Sequence, residues 1–577
     1  MKIKVLDSLE EILPYKNIWN DILSGNDSNI VYSSFEWLYT WWQYHGEGNK
    51  PYILMLIEGD DIAGFCPLMK VPKRSYEEIR FIGAYEANYM EFIIRKEYKA
   101  RCIERILDHL IGMKGRFLID LHGLLEGTED YTIVKQYLSN NGWCFFETSL
   151  ERFYTSTDAQ SFDDYLKNRI SHKSIGTMKR KAKRLRRLGQ VEFKPFDGRS
   201  QDLEIIFGIH DKRWQRKIGT SNFSEGETRE FFKKLAMSKD LPFRVHIDTI
   251  DMDGRTLSFI YGFEYKNRYL FYRIGHDDNF GIFSPGEMVL IEKIRECFEK
   301  GMDEFDFGIG YEPYKAIWGT HSMNVVNFVF PVNSVFSRLI YYIRRSWQDV
   351  RQLIKKIPGL YYFVKYKLGK LKFFLYQENA KRVGKRAFHV LKDKLKDIMN
   401  LVYCRGDYYI LHKNLKCLID GGERVCRVEE ASAARHLELL IDITHWKASD
   451  ILRRFLKGDI CILVYPYQDQ GIHCLWFSPT NIEIDKIQYS WPLNRDSIYL
   501  YKHCYSGKEM KMDGHILRSV IECCKRKGYN KCYITATGRN QSLLSLLKKE
   551  GFDKFRYIRY TSWFGKPTYR VYQRNLE

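Results

Sequence analysis

The clearest alternation of apolar and polar positions along the chain lies in residues 269–319. Residues 269–275 are aromatic and β-branched enough for a buried strand, and turn-forming residues follow them. A helix is predicted from Pro285, because proline is favoured at the first helical position, to a C-terminal glycine at Gly301. Its apolar stripe consists of Leu290, Ile291, Ile294 and Phe298. A second strand at residues 304–308 completes a strand–helix–strand crossover.

The start of this predicted helix is a candidate anion site. The first N–H groups of a helix have no intrahelical partner and face the loop that precedes it. Ser284, Pro285 and Gly286 occupy this position. Backbone N–H groups there favour an anion such as a pyrophosphate, so these three residues are candidate cofactor ligands.

The same order of elements is predicted twice more. In the first 150 residues, the predicted hairpin, strand, helix and strand are residues 52–68, 89–94, 101–113 and 117–121. No small residues cluster at the start of that helix, so no cofactor phosphate is expected there. In the last 180 residues, the corresponding elements are residues 460–477, 497–505, 513–527 and 531–537. A further hairpin, which leads into the central strand, turns at Asp253 and Gly254.

Composition indicates a globular protein with a strong positive charge. A chain of 577 residues is too long for one core, and three or four domains are expected. The formal net charge of +20 favours anionic partners such as a membrane surface, nucleic acid or phosphate-bearing substrates. No signal peptide opens the sequence and no apolar run approaches the length of a membrane span, which predicts a cytoplasmic protein. The thirteen cysteines lack the paired spacing of a zinc site, and no metal is expected.

Two basic stretches carry much of the charge. Residues 179–187 contain seven Lys and Arg at helical spacing, which suits either a solvated helix packed by its apolar side or a clamp for a polyanion such as tRNA. Residues 335–376 contain ten Lys and Arg against one acid, Asp349, interleaved with aromatic residues. This second stretch suits an inter-domain helix, a helix docked on an anionic membrane surface, or an RNA contact.

The central segment also carries a family resemblance. The sequence SPGEMVL followed by GMDEFDFGIGYEPYKAIWG resembles the signature of the CelD/BcsL-type branch of the GNAT acyltransferases, which is related in fold to the FemABX peptidoglycan-bridge enzymes. The residues that match in order are Ser284, Pro285, Gly286, Phe305, Asp306, Phe307, Gly310, Glu312, Tyr314, Lys315 and Trp318. The resemblance covers roughly the first 330 residues, since Trp37, Trp41 and residues 64–68 also look like that family's amino-terminal half.

The resemblance implies an α/β (α+β) fold class, with tandem GNAT-like folds whose mixed central sheets are flanked by helices. We expect a mainly structural GNAT-like half at residues 1–150 and the acetyltransferase domain at 151–332, with its basic helix at 171–189. A basic amphipathic helical connector is expected at 333–398 and a third GNAT-like domain at 399–577.

Acyl transfer from a thioester needs a base for the acceptor, a backbone donor for the developing oxyanion and an acid for the leaving thiolate. Asp306, Glu312 and His276 are the candidate bases, and the strand at Arg273 can offer the oxyanion donor or contact the cofactor. Two of these bases have alternative roles: His276 can be a surface residue, and Asp306 can cap a turn. Tyr314 and Lys315 can hold a leaving group or a phosphate, or can brace the segment around Trp318.

The carboxy-terminal region is similar to ordinary GNAT enzymes at its closing motif, where Asn540 corresponds to an asparagine that contacts coenzyme A. It departs from that pattern at Leu547, where the family has a tyrosine acid, and at Glu509 and Met512, where it has a pyrophosphate loop. A carboxylate that faces a pyrophosphate repels it. A degenerate domain, structural or substrate-gripping, is therefore expected.

The resemblance implies an acyltransferase that uses acetyl-coenzyme A or another acyl-coenzyme A and no metal. Its expected acceptor is an amine or hydroxyl of a small molecule or glycan, such as a cell-envelope precursor or polysaccharide. The expected location is the cytoplasm, at the inner membrane face if residues 335–376 dock there. One alternative is a FemABX-like aminoacyl transferase that uses charged tRNA, and another is a non-catalytic membrane-surface scaffold.

Overall fold

The structure is a computed structural model of the whole chain. It describes residues 1–26, 28–84, 86–157, 161–196, 203–218, 223, 226–357, 403–416, 426–467, 471–507, 512–563 and 566–573. The chain divides into two compact units. The first consists of Met1–Arg180, Glu192–Asp251 and Thr256–Tyr376, and the second of Lys181–Val191, Met252–Arg255 and Gln377–Glu577.

The first half of the first unit is a sheet covered by helices. Its strands are β1 (Lys2–Leu6), β2 (Lys50–Glu58), β3 (Asp61–Pro72), β4 (Glu77–Phe81), β5 (Ile93–Ile94), β6 (Phe117–Leu125) and β7 (Phe146–Ser156). Its helices are α1 (Leu9–Ile12), α2 (Lys16–Gly25), α3 (Phe35–His45), α4 (Lys99–Ile111) and α5 (Glu129–Asn140). The strand predicted at 89–94 is wrong except for β5, because the Met90 N–H donates to the Gly123 carbonyl outside any ladder.

The second half repeats this arrangement. It contains α6 (Phe162–Arg169), α7 (His172–Arg186), β8 (Val191–Pro195), α8 (Leu203–Ile218), α9 (Gly226–Met237), β9 (Arg244–Met252), β10 (Arg255–Tyr265), β11 (Arg268–His276), α10 (Pro285–Glu299), β12 (Glu304–Ile309), α11 (Pro313–Trp318) and β13 (His321–Pro331). The predicted crossover is confirmed as β11, α10 and β12. The predicted hairpin turn is confirmed too, since Asp253 and Gly254 have φ values of 48° and 81°.

The two halves exchange their last strands and so form one sheet. Its order is β1-β2-β3-β4-β6-β13-β7-β12-β11-β10-β9-β8, with β5 beside β3. The last strand of the first half, β7, pairs with β12 of the second half, and β13 pairs with β6 of the first. The boundary expected at residue 150 falls inside β7.

A buried ion-pair cluster holds this exchange together. Arg152 on β7 donates from Nε to Oδ2 of Asp306 on β12 at 2.9 Å, and it also pairs with Glu304. Asp306 accepts two further hydrogen bonds, from the Tyr89 hydroxyl at 2.9 Å and from the Gly308 N–H at 2.8 Å. Burial opposes the charge of Arg152, but the two carboxylates outweigh this effect and raise the pKa of the guanidinium. The cluster therefore fixes β7, β12 and the loop after β4 against one another.

After β13, the helix α12 (Val335–Lys356) begins the predicted basic connector. The rest of the predicted connector, residues 358–398, lies outside the described residues. Ser337, Ile340 and Tyr341 on one side of α12 are buried, whereas the opposite side is exposed. No helix in the described part of the chain is long and apolar enough to span a membrane.

The second unit contains the third predicted copy of the order hairpin, strand, helix and strand. Its elements are β14 (Tyr403–Asn414), β15 (Cys426–Glu430), α13 (Ala433–Thr444), α14 (Ala448–Lys457), β16 (Ile460–Pro466), β17 (His473–Ser478), β18 (Asn481–Ile484), β19 (Tyr489–Pro492), β20 (Ser497–Tyr505), α15 (Gly514–Arg526), β21 (Lys531–Thr537), α16 (Gln541–Lys549), β22 (Asp553–Trp563) and β23 (Lys566–Gln573). The main sheet has the order β15-β16-β17-β20-β21-β14-β22-β23, and β18 pairs with β19. Only β20 and β21 are parallel among the pairings described in this sheet. The expected fold class, mixed sheets flanked by helices in tandem, is confirmed.

Removal of the Arg152 charge tests the ion-pair cluster. We expect Arg152→Met to lower the free energy of unfolding by about 3–5 kcal/mol, because it leaves two buried carboxylates without their counter-charge. Urea unfolding of the full chain measures this loss. Adding Asp306→Asn to the variant should recover part of it.

The matched control is Arg101→Met, which breaks an exposed ion pair to Glu58 in the same unit. Surface ion pairs contribute little, so the control should lose much less stability. Equal losses in the two variants would contradict the structural role of the buried cluster.

Candidate active site

The two parallel strands of the second half, β11 and β12, separate after a short paired stretch. β11 and β12 pair only from Arg268 and Glu304 to Leu270 and Asp306. On its other side β11 follows β10, but Tyr272 is an extra residue between the pairs Tyr261–Arg273 and Gly262–Phe271. Bulges of this kind redirect the backbone and are common beside active sites. The separation opens a gap whose edge consists of backbone groups of β11.

The start of α10 borders this gap. Ser284 precedes the helix in the left-handed region, with φ and ψ both 55°, and its side chain makes no capping hydrogen bond to the helix. Because Pro285 has no N–H, the first helical N–H is that of Gly286. A Cβ atom on Gly286 would lie 2.7 Å from Nδ1 of His276, so only glycine fits beside that imidazole. The helix start and His276 are therefore in direct contact.

His276 is held between a cation and a carboxylate. Nη1 of Arg213, on α8, lies 2.8 Å from His276 Nδ1, and Oδ1 of Asp278 lies 3.5 Å from Nε2. A guanidinium can only donate, so Nδ1 accepts and the proton of the neutral ring is on Nε2. The basic nitrogen of this tautomer is engaged by Arg213.

Two guanidinium groups lie in this region, and one of them, that of Arg213, is 4.0 Å from the Asp278 carboxylate. Arg273 donates to the Tyr272 carbonyl and lies 4.2 Å above the Tyr272 ring, which orients its side chain. Burial, reinforced by Arg273 and Arg213, lowers the pKa of nearby His210 to about 3. Burial also lowers the pKa of Arg213, while Asp278, Glu312 and Tyr314 oppose that effect. The site is suited to an anion that brings its own negative charge.

The short helix α11 supplies the residues on the far side of the gap. Lys315 is buried, and its Nζ donates to the Ile309 carbonyl at 2.9 Å and lies 3.6 Å from Glu312. These contacts brace the segment, so Lys315 is not placed to hold a phosphate. Burial and the Glu312 carboxylate raise the pKa of Tyr314 well above its usual value, so its phenol stays protonated. Glu312 is about half exposed, with 46% of its side chain accessible.

The other predicted site residues, Asp306 and Asn540, make contacts that do not place them at the start of α10. Asp306 is buried and accepts three hydrogen bonds, as described above, which gives it a positioning role. Asn540 lies in the second unit, where its Oδ1 accepts the Leu543 N–H at 3.1 Å and caps α16. Glu509 lies outside the described residues.

Sequence reasoning missed four contributors to this region, namely His210, Arg213, Tyr89 and Arg152. Arg213 and His210 lie on α8, where a cation or histidine on an amphipathic helix usually indicates a solvated face. Tyr89 was assigned to a strand, although it lies in a loop. Their signal is tertiary, because Arg213, Tyr89 and Arg152 each contact a residue more than sixty positions away. His210 is affected by the charges of Arg273 and Arg213.

A cleft of about 600 Å³ lies in the first unit and is bordered by Arg152 of the ion-pair cluster. Other side chains that line it are Glu91, Lys96, Lys99, Asp130, Arg268 and Met323. Glu91 is buried and accepts a hydrogen bond from the Ser28 hydroxyl at 2.6 Å. Burial, assisted by the charge of Asp130, raises the pKa of Glu91 to about 7, against hydrogen bonds from Ser28 and Ser33 and the charge of Lys99.

Comparison with known proteins found one family model that matches part of the chain. Residues 172–316 match the family model of the acetyltransferase (GNAT) domain. The chain therefore contains a GNAT acetyltransferase domain. The GNAT match includes Arg213, Arg273, His276, the start of α10 and α11, whereas Tyr89 and Arg152 come from outside it.

Several solved structures resemble the chain at low identity. FemX is 11% identical with a TM-score of 0.44, and the match covers 59% of this chain and 100% of FemX. L-PGS from Bacillus licheniformis is 13% identical with a TM-score of 0.35, covering 57% and 96% of the two chains. A tandem GNAT protein from the clavulanic acid biosynthesis pathway is 8% identical with a TM-score of 0.35, covering 57% and 98%. At this level of similarity none of them bears on the function of this chain. No curated protein matches it.

The raised pKa of Glu91 predicts a pH-dependent stability. The folded chain keeps this proton up to about pH 7, whereas the unfolded chain releases it near pH 4.5. The stabilisation is therefore complete below about pH 4.5 and is lost as pH rises through about 7. Glutamine mimics the protonated acid, so we expect Glu91→Gln to raise the melting temperature more at pH 8 than at pH 5.

The control for this prediction is Glu97→Gln, an exposed position just beyond β5. It should shift the melting temperature equally at both pH values. A pH-independent effect of Glu91→Gln, measured by thermal scanning of the full chain, would contradict the burial argument.

Proposed function

We propose that this protein transfers an acyl group, acetyl in the simplest case, from acyl-coenzyme A to an amine or hydroxyl of a cell-envelope precursor or polysaccharide. The observation that carries the proposal is the convergence of the proline–glycine start of α10 with Arg213 and Arg273 at the gap between β11 and β12. A GNAT domain match over the same residues supports it.

The residues of this gap fit coenzyme A. The Gly286 N–H and the Arg213 and Arg273 side chains suit the pyrophosphate, since backbone donors, the helix dipole and two cations act together. Because Gly286 has no side chain, the start of α10 can lie directly against His276. When bound, the thioester supplies an activated acyl group. Arg213 and Arg273 would compensate the negative charge of the pyrophosphate. The backbone of β11 at the Tyr272 bulge would supply the N–H donor for the oxyanion.

Among the candidate bases, we favour Glu312. The Asp306 carboxylate already accepts three hydrogen bonds, and Nδ1 of His276 is engaged by Arg213. Glu312 is half exposed beside the gap, where it can take a proton from an incoming amine or hydroxyl. Tyr314 keeps its proton and can donate to the leaving sulfur. His276 positions Arg213 and Asp278.

The cleft beside Arg152 is our proposed acceptor site. It carries both charge signs and is linked to the gap through the Arg152–Asp306 pair. Hydroxyl and amine groups of a glycan or of a smaller precursor suit such a lining. The first half would then bind the acceptor, while the second half binds the donor.

We also propose that the protein is cytoplasmic and docks on the inner membrane face through α12. The exposed side of this helix is apolar and carries Leu339, Tyr342, Ile343, Trp347, Val350 and Leu353, which are 45–64% exposed. Arg338, Arg345 and Arg351 lie on the same helix. An exposed apolar stripe next to cations is typical of a helix at an anionic membrane surface.

A second candidate is aminoacyl transfer from charged tRNA. It is favoured by the exposed cations of α7 and its end, namely Lys179, Arg180, Lys183, Arg184, Arg186 and Arg187, which suit phosphate contacts without base readout. Such an enzyme should bind tRNA with a steep salt dependence and gain no stability from acetyl-coenzyme A. A non-catalytic scaffold should do neither.

Thermal unfolding with acetyl-coenzyme A tests the donor site. At a hundredfold excess over Kd, binding to the native state should stabilise it by about 2.7 kcal/mol and raise the melting temperature by several degrees. Gly286→Glu should abolish this rise, because a carboxylate would face the pyrophosphate.

The control is Gly286→Gln, which has the same size but no charge. Both variants disturb His276, so a greater loss of binding in Gly286→Glu isolates the electrostatic effect. A wild-type protein that gains no stability from acetyl-coenzyme A would reject the donor site, and stabilisation by charged tRNA instead would favour the second candidate.

Sedimentation with vesicles of phosphatidylglycerol and phosphatidylcholine tests docking by α12. Trp347→Glu should reduce the bound fraction severalfold, because it places a charge in the apolar stripe. Gln352→Glu adds the same charge to the same helix away from the stripe and should have a smaller effect. Unchanged binding of Trp347→Glu would exclude this docking mode.

A further inference from the structure

The second unit has the same order of hairpin, strand, helix and strand as the second half of the first unit, but a carboxylate occupies the start of its helix. α15 corresponds to α10, and a Cβ atom on its first residue, Gly514, would lie 2.5 Å from Oε1 of Glu550. Arg518 pairs with the same carboxylate at 3.2 Å, and only 9% of the Glu550 side chain is exposed. The carboxylate occupies the position where a phosphate would meet the helix dipole, and it would repel one. This unit is therefore not suited to hold coenzyme A in that way.

The same unit keeps the other feature of the fold, namely a gap between its two parallel strands. β20 and β21 pair from Ser497 and Lys531 to Leu500 and Ile534 and then separate. Tyr501 is an extra residue in β20, between residues that pair with Trp476 and Phe477 of β17. A pocket of about 360 Å³ lies at this point.

The floor of the pocket is a hydrogen-bonded network. Tyr501 donates to Oδ2 of Asp459 at 2.8 Å and accepts from Nη1 of Arg454 at 2.9 Å. Arg454 also lies 4.2 Å above the ring of Trp446. Burial and the Asp459 charge raise the pKa of Tyr501, so its hydroxyl stays protonated and holds the two charged groups in place.

Three ammonium groups line the pocket, those of Lys457, Lys486 and Lys502. Lys486 is held by hydrogen bonds with Tyr560 and Cys404, whereas no ion pair of Lys457 or Lys502 occurs in the described part of the chain. Glu483 and Asp485 also line the pocket, and Ser478, Thr480, Asn481 and Thr535 add hydroxyl and amide groups. The cations suit an anionic group, while the carboxylates, hydroxyls and amide suit a ligand with many hydroxyl groups.

We propose that this pocket binds an acidic saccharide, that is, a sugar unit that carries a phosphate or a carboxylate. A neutral sugar leaves the ammonium groups of Lys457 and Lys502 unmatched, and a bare anion leaves the two carboxylates and the hydroxyl groups without ligand partners. The second unit is thus a binding module that keeps the gap of the acyl-transfer fold and has a filled helix start. Every residue that carries this inference lies in the second unit, so it stands independently of the proposed acyl transfer.

Isothermal titration of the full chain with four probes tests the pocket: glucose 1-phosphate, glucuronic acid, glucose and inorganic phosphate. We expect binding of glucose 1-phosphate, glucuronic acid or both, and at least about tenfold weaker binding of glucose and of phosphate alone. The first two probes distinguish a phosphorylated sugar from a uronic acid. Binding of phosphate as tight as that of glucose 1-phosphate, or of glucose as tight as either acidic sugar, would overturn the proposal, as would no binding of either acidic sugar.

Variants locate the binding. Lys502→Gln should weaken the acidic sugar about tenfold, whereas Lys549→Gln, which removes the same charge from an exposed position on α16, should leave its affinity unchanged. Tyr501→Phe, which removes the hydroxyl between Arg454 and Asp459, should also weaken it. Equal affinities for wild type and Lys502→Gln, or equal losses in Lys502→Gln and Lys549→Gln, would overturn the assignment to this pocket.

Discussion

The ion pair between Arg152 and Asp306 is the constraint on which the first unit depends. It joins the last strand of the first half to the central strand of the second, where both side chains are buried and a single unpaired charge would be costly. Asp306 also accepts the Gly308 N–H, and Gly308 has a φ of 72°. A Cβ atom there would lie 3.1 Å from the Asn88 amide, so glycine suits this bend. The bend ends the pairing of β12 with β11 and so creates the gap.

Both units use the same local device, a bulge in one parallel strand followed by separation from the next, yet the two gaps differ in charge. In the first unit the adjacent helix start meets His276 and two arginines. In the second unit a glutamate occupies the equivalent helix start, and lysines line the strand gap. A few side chains on the same backbone arrangement thus distinguish the proposed cofactor site of the first unit from the proposed acidic-sugar pocket of the second.

Local patterns predicted the elements of the fold well. Pro285 and Gly286 gave the start of α10, and strands such as 497–505 and 531–537 have the bounds expected from their apolar residues. The exchange of β7 and β13 was not predictable, since no local pattern specifies which distant strand a buried strand joins. Asp306, between Phe305 and Phe307 on β12, was predicted as a candidate base or a turn cap. Its partner, Arg152, lies 154 residues earlier, so the ion pair could not be foreseen. The contact of Arg213 with His276 was missed for the same reason.

Amide hydrogen exchange of the full chain, with and without acetyl-coenzyme A, tests the central claim most directly. The account predicts that the ligand slows exchange in peptides that cover residues 271–290 and 308–316, which contain the bulged strand, the start of α10 and the start of α11. Peptides at the start of α15 should exchange at unchanged rates, because Glu550 occupies that site. Protection confined to α15, or no protection in either unit, would contradict the assignment of the donor site to the second half of the first unit.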